Sequence, residues 1–496
     1  MSEASDTTIV ARGHGATELT TIVITSEVPG TPDPAPGPAP GTWDADPKNP
    51  YNWPGWKKNL QLLMISWIAF VGSIGTSIIS PAHDQLMAEF DVSSTVAFLP
   101  ITTYVLALGL GPVLGGPLSE TAGRQTVWYM AAVFGGIFTL GSGLVHNFAG
   151  LCVLRFFAGF FYGPGLAVGA GVLSEVYMPI DRGMPASLYT LSPFLGPGLG
   201  PVIGVFLVSR HGWRWTQYVQ ALFSLFSVLL VMFTDETYQR AIQRRRAKEL
   251  GLEQPGRPPL GPAMKEFITI TLLRPLHMLV AEPIVGFLSL YVAFVFGILF
   301  IFFGVFFWVF QSTYHFTFEQ SGLVFLAIAL GCVLGVVVVG LCNGLYYERV
   351  SHRFPPHMTP PEYRLLPAII GSLLLPSSLI WFAMTAQETT HPGWPITAIV
   401  VFGAGNICLF IGVLQYMGDV YHRTNVASAA SANSLARYIL AATFPLFSLQ
   451  MYQKMGVRWA TVVLFLFAMM MLPIPVILVG CGKRLRQRSS YETAAY

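Results

Sequence analysis

The sequence predicts an all-α membrane protein of twelve transmembrane helices, arranged as two pseudo-symmetric six-helix halves. Three observations lead there. Of 496 residues, 53% are hydrophobic and 11% charged, and the mean hydropathy is +0.57. Soluble chains carry about 25% charged residues, so a single core could not cover this apolar surface and a bilayer must share it. From Trp56 onward, apolar runs of the length needed to cross hydrocarbon follow one another. The longest polar interruption, 235–281, falls after the sixth run.

Residues 1–50 come first and read as a disordered tail. Between Pro29 and Gly41, Pro alternates with Gly, Ala and Asp, leaving too little apolar surface to fold. These residues are too polar for a cleavable signal segment. Spans are expected near 59–80, 96–117, 127–146, 150–172, 187–208, 214–233, 283–307, 321–342, 366–385, 395–417, 427–449 and 459–480. They divide the chain into a first half (51–234), a linker (235–281), a second half (282–482) and a tail (483–496). The linker holds Arg244-Arg245-Arg246 and the Pro-rich run Gln254 to Pro262. With the N-terminus inside and twelve crossings, 22 of the 28 basic residues fall on the inner side. Arg210, Arg214, Lys454 and Arg458 fall outside, and Arg155 and Arg437 lie within spans. Because Lys and Arg gather on the cytoplasmic side, both termini are expected in the cytoplasm. Lys483, Arg484, Arg486 and Arg488 read as a stop-transfer anchor at the inner leaflet.

Several function classes drop out. Cys152, Cys332, Cys342, Cys408 and Cys481 show neither metal-ligand spacing nor a disulfide framework. There is no Asn-x-Ser/Thr acceptor and no Gly-x-x-x-x-Gly-Lys-Ser/Thr phosphate loop, which argues against an ATP-driven pump. The histidines near span ends form no His-x-x-x-His pair, so no intramembrane metalloenzyme is supported. The net charge of +3 is small and by itself excludes nothing; no nucleic-acid partner is expected. No cofactor or metal is expected.

Two groups of residues remain as candidates. In the stretch Gly116 to Arg124, Gly and Pro suit a tight turn. Glu120 and Arg124 place one charge of each sign there, so that the turn, with Gly123, could latch neighbouring helices in one state and free them in another. Gly196, Gly200 and Gly204, with Pro197 and Pro201, form a small-residue face in span five, and Asp419 flanks span ten. The second group is a binding site. Arg155 shares a helix face with Gly159 and Gly163, and Arg437 lies one turn from Asn433. An intramembrane arginine marks a functional site by default. Tyr291 and Asn406 are further candidates for that site. All acidic residues lie outside the expected spans, so a cavity lined by these guanidinium groups would attract anions.

Together the motifs resemble the major facilitator superfamily, and within it the fungal twelve-span drug:proton antiporters, from about Asn49 to Lys483. Gly116 to Arg124 is similar to that superfamily's loop between spans two and three. Arg155 with Gly159 and Gly163 is similar to its basic motif on helix four, and Leu195 to Gly204 to its antiporter motif. Asn49 to Trp53, Trp213-Arg-Trp215, Asp235-Glu-Thr-Tyr238, Glu282-Pro-Ile and Asn433 to Phe447 resemble phrases of fungal members. Gln125 stands where a second basic residue is common, and the counterpart turn Gly340 to Arg349 is a faint echo. The resemblance implies alternating access and export of a small organic molecule (a secondary metabolite, toxin or drug-like compound) from a monomer in the plasma membrane, driven by a proton gradient. Coupling would then use Asp84, Glu120, Glu282, Asp419 or the substrate's own charge. Export of small carboxylates held by Arg155 and Arg437 is the alternative reading. A transport-dead sensor or scaffold is a third.

Overall fold

The computed structural model describes Trp43 and residues 46–178, 181–249, 269, 273–355, 359–421, 423–491 and 493. The tail read over 1–50 lies almost wholly outside these residues, and so does the run Gln254 to Pro262. We number the long helices α1 Gly55–Ile74, α2 Leu99–Ala122, α3 Arg124–Leu144, α4 Phe148–Val176, α5 Gly183–His211, α6 Arg214–Met232, α7 Pro283–Tyr314, α8 Phe318–Ser351, α9 Pro361–Thr385 and α10 Gly393–Val420. Next, α11 is Arg423–Thr443, prolonged from Pro445 until Gly456, whose φ of 76° breaks the helix. The remainder, 457–486, is α12.

Nine of the described helices are long and apolar enough to cross a membrane by length and composition, with the two stretches joined at Gly456 taken as one. Gly55–Ile74 and Arg423–Thr443 fall short because they carry polar residues such as Lys57, Lys58 and Asn59, or Ser428, Ser431 and Asn433. In α2 the stretch Leu99–Val113 is apolar but shorter than a span. Together the helices make a twelve-helix bundle of two six-helix halves. The pairings show the pseudo-symmetry. In the first half α1 packs on α5, α2 on α4, and α3 on α4 and α6; in the second, α7 packs on α11, α8 on α10, and α9 on α10 and α12. Adding six to each number carries one set into the other. Across the seam, α2 meets α11 and α5 meets α8, which are also exchanged by that operation.

Close approach of α2 and α4 depends on Gly159, where a Cβ would lie within 3.0 Å of the Tyr104 carbonyl oxygen. The prolines of α5 serve a different purpose. Pro197 has no N–H, so the Pro193 carbonyl is left without its helical donor. Ser73 of α1 supplies one instead, and Ser77 Oγ donates to Gly196 O at 3.1 Å. Gly196, Gly200 and Gly204 press on the chain at Ser73, Ser77 and Ile78.

The end of the bundle that carries the N-terminus of α1 and the C-terminus of α12 is called the terminal end, and the other the distal end. Among the described residues, the hydrogen bonds between the halves join Thr95 to Gln450, Thr102 to Ala442 and Ser209 to Glu319. All three lie toward the distal end, where the halves are therefore tied together.

Candidate functional site

At the terminal end of the first half the chain is helical through Ala122, not a turn from Gly116. A single residue, Gly123, makes the turn with φ 97° and ψ 160°. Gly and Pro are tolerated inside α2 because neighbouring helices hold it in place. Gly116 itself faces open space. Glu120 is exposed and is not the acid that Arg124 uses. Arg124 Nη2 donates to Glu175 Oε1 at 2.8 Å and Nε to the same oxygen at 3.1 Å, with Ser119 on Nη1. Glu236 accepts from the backbone N–H of Arg124 at 2.8 Å and of Gln125 at 3.2 Å. Four segments therefore meet at Arg124: the ends of α2 and α4, the start of α3 and the strap after α6. The strap's Thr237 Oγ1 completes the cluster by donating to Glu175 Oε2 at 2.7 Å.

The second half repeats the device with different residues. Arg364 Nε donates to Asp419 Oδ2 at 3.0 Å, and its guanidinium lies 3.5 Å over the Tyr347 ring. Asp419, a coupling candidate, is thus the counterpart of Glu175, which sequence reasoning missed. The signal was present in the sequence: Glu175-Val-Tyr177 recurs as Asp419-Val-Tyr421 at the ends of α4 and α10. Both carboxylates lie in the last turn of helices that run a few residues beyond the expected spans.

Deeper in the membrane region the two arginines occupy different settings. Arg155 is completely buried. Its Nε donates to Pro100 O at 3.3 Å, its Nη1 to Gln217 Oε1 at 3.3 Å and Gln220 Oε1 at 3.4 Å, and its Nη2 to Gly75 O. Its guanidinium stacks 4.2 Å over Tyr104. The Gly75 carbonyl is free because α1 stops at Ile74. Arg155 thus joins α4 to α1, α2 and α6.

Arg437 lies at the seam between the halves. Its guanidinium sits 4.9 Å over Phe296, 4.7 Å over Phe410 and 4.8 Å over Tyr438. Phe194 of α5, from the opposite half, packs on Phe410 at 4.9 Å and on Phe296 at 6.1 Å. Arg437 is 8% exposed and its Nε has no hydrogen-bond partner among the described residues. Neighbouring polar atoms are in the same condition. Asn433 Nδ2 reaches only Met417 Sδ at 3.8 Å while its Oδ1 is unpartnered, and so is Asn406 Nδ2. Asn406 lies one turn from Phe410 on α10, as Asn433 does from Arg437 on α11. Tyr291 is buried in α7, with Ser372 beside its hydroxyl but no partner in hydrogen-bonding geometry. Buried polar groups rarely lack partners, so these atoms of α7, α10 and α11 are where a ligand could supply them. Among the described residues Arg155 and Arg437 share no partner. The rings of the cage escaped sequence reasoning because 36 phenylalanines give no sign of which ones face a charge.

The profile described as Major Facilitator Superfamily matches residues 65–445. The chain belongs to that superfamily. Its relatives include Polyamine transporter 4 of Saccharomyces cerevisiae, 35% identical over 91% of this chain and 73% of that one. MFS-type transporter traF of Penicillium crustosum is 34% identical over 90% of this chain and 92% of that one. Efflux pump radE of Floropilus chiversii is 31% identical over 91% of this chain and 85% of that one. Among solved structures, the xylose transporter XylE from E. coli, in a partially occluded inward-open conformation, superposes with a TM-score of 0.59. That match has 16% identity and covers 85% of this chain and 98% of that one; it bears on the fold alone. This major facilitator protein is accordingly a multi-pass membrane transporter of small molecules, not an enzyme.

Proposed function

We propose that this transporter exports a small organic molecule from the cytoplasm across the plasma membrane by proton antiport, and that the cargo carries an anionic group held by Arg437. The observation that carries the reading is the buried guanidinium at the seam, with an unpartnered Nε and no carboxylate paired to it among the described residues. In alternating access the seam is where a central site opens to each side in turn. A guanidinium can grip a carboxylate through two parallel hydrogen bonds, which lysine cannot do. Asn433, one turn from Arg437, and Asn406, one turn from Phe410, offer an unpartnered amide oxygen and an unpartnered amide N–H, and Tyr291 lies on α7, the helix of Phe296. Arg155, with its donors occupied, we assign a positioning role: it holds the first half's face of the site in shape. Relatives named as efflux pumps or as transporters of biosynthesis clusters support the direction of transport. The asymmetry of basic residues supports a cytoplasmic terminal end, and we take the chain to work as a monomer.

Export by vesicles holding equal amounts of wild type, Arg437→Lys and Arg437→Ala tests this, across carboxylates, neutral compounds and polyamines. Loss of one charge-assisted hydrogen bond corresponds to about 10- to 150-fold in affinity. Arg437→Lys should impair carboxylate export and Arg437→Ala should impair it more. Normal carboxylate export by Arg437→Ala, or a wild-type preference for polyamines, overturns the reading. Tags at residue 20, within 245–260 and at the C-terminus should all be inaccessible from outside intact cells.

A further inference from the structure

The chain does not hang free after α12. Arg486 is buried in an ion pair with Glu362 at the start of α9. This arginine is therefore engaged with protein, unlike the lipid-facing anchor expected from sequence. The following residues fold back. Ser489 Oγ donates to Glu282 Oε2 at 2.8 Å and Ser490 N donates to Glu282 Oε1 at 3.0 Å. Glu282 is 2% exposed and also accepts from Tyr421 Oη at 3.4 Å. Tyr491 Oη lies 2.8 Å from His277 Nδ1, and Thr493 forms an antiparallel bridge with Tyr421. The segment thus staples the end of α12 to the start of α7 and the end of α10. These donors to Glu282 are neutral, so the staple depends on the Ser489 hydroxyl remaining a donor.

Just before that serine, Arg484, Arg486 and Arg488 stand five, three and one residues upstream. Alternate guanidinium groups of this kind suit a carboxylate-lined peptide groove, each gripping an acid through paired hydrogen bonds. Ser490, Arg484 and Arg488 are exposed and Ser489 is half-buried, so local opening of the last turn presents the whole run.

We propose that Ser489 is a phosphorylation site for an arginine-directed protein kinase, and that its phosphate expels the segment from Glu282. The Ser489 Oγ attacks the γ-phosphorus of ATP. An Oγ–P bond forms and the β,γ-bridging P–O bond breaks, ADP leaves with that electron pair, and the hydroxyl proton passes to the kinase's base. A neutral donor becomes a group of charge about −1.5 to −2 against a buried carboxylate. The result is repulsion where a hydrogen bond stood. The proposal rests on the reading that the terminal end faces the cytoplasm, where ATP and kinases are.

The test uses the full-length protein in detergent, so it depends on neither orientation nor cargo. The probe is the catalytic subunit of cyclic-AMP-dependent protein kinase with ATP. Mass spectrometry locates the phosphate, and chymotrypsin cleavage after Tyr491, whose hydroxyl is held at His277 in the closed segment, reports its release. Phosphate on Ser489 should speed cleavage about ten-fold, the equivalent of one lost hydrogen bond to a charged group. Ser489→Glu should do the same, and adding Glu282→Gln should slow it back toward wild type. Ser489→Ala should abolish uptake at that position. The proposal is overturned if phosphate goes only to other residues, if a synthetic 480–496 peptide is modified but the whole protein is not, or if the phosphorylated protein is cut at the unmodified rate. Should the tags instead place the terminal end outside, the cytoplasmic reading fails while the chemistry of the staple still stands or falls by these measurements.

Discussion

Gly123→Val isolates what the cluster around Arg124 contributes. Gly123 has φ 97°, and a Cβ there would lie within 3.0 Å of Glu236 Oε2. Valine meets two penalties. Holding an L-residue in that backbone region, which is essentially reserved to glycine, costs about 1–3 kcal/mol. Displacing Glu236 loses its bonds to the Arg124 and Gln125 N–H groups at 2.8 and 3.2 Å. A hydrogen bond to a charged group contributes about 1.5–3 kcal/mol. Counting only one of those bonds, the substitution disfavours the intact cluster by at least about 2.5 kcal/mol, roughly 60-fold. A thermal melt of purified protein should show a lower midpoint, and export at equal abundance should slow, because the segments gathered at Arg124 must move together when the halves rock. Glu236→Ala separates the two penalties. In that background the overlap is gone and the bonds are already lost, so adding Gly123→Val should cost only the backbone strain. The double variant should then be more stable than the sum of the single losses by about 1.5–3 kcal/mol. Gly116→Ala is the control, since nothing lies within 4 Å of a Cβ there. Strict additivity, or wild-type melting and export by Gly123→Val, would refute the reasoning.

Other expectations follow from the same geometry. Arg155→Lys keeps the charge but cannot reach the carbonyls of Gly75 and Pro100 and both glutamines at once; melting temperature and membrane abundance should fall while the cargo preference per molecule stays unchanged. Gly204→Ala drives a Cβ into the Ile78 carbonyl, whereas Gly200→Ala first meets Ser77 Oγ, a side chain able to rotate. Overpacking costs about 1–3 kcal/mol, so Gly204→Ala should melt lower than Gly200→Ala. At the distal end, the hydrogen bond from Arg214, at 2.7 Å, holds the Glu89 carboxyl below its ordinary range. Because the folded value is the lower one, this stabilisation is fully present above the unfolded carboxylate range and is lost as pH falls through the folded value. The acid limb of a pH–stability profile should therefore shrink in Glu89→Gln, with neutral and alkaline behaviour unaltered in shape.

The twelve helices in two halves were legible because hydrocarbon imposes a length and a composition that any sequence must meet. Arg155 and Arg437 stood out for the same reason, since charge is rare in such runs. Their roles were not legible. What distinguishes the two is the company they keep: the carbonyl of Gly75, freed by the break in α1, and two glutamines of α6 on one side, three aromatic rings from α7, α10 and α11 on the other. Those contacts join residues far apart in sequence, and a pattern of apolar residues carries no record of them.

The second half shows how a correct principle can be applied at the wrong place. The counterpart of the Arg124 turn expected from sequence, the faint echo Gly340 to Arg349, is helix rather than turn. In the first half a single glycine separates α2 from α3, so the basic residue sits immediately beyond the helix end. In the second half the connection is longer, since α8 ends at Ser351 and the next helical turn begins at Pro361. Arg364 instead arrives within the 3₁₀ turn Pro361–Leu365 that opens α9. It still meets a carboxylate in the last turn of the fourth helix of its half, as Arg124 does. What the two halves share is therefore the position of an ion pair relative to two helix ends. The residues that supply its basic member sit at different offsets from the preceding helix, so comparison of the two turns as strings misses it. The acid member, fixed in the helix and followed by Val-Tyr in both halves, is the part that a string can find.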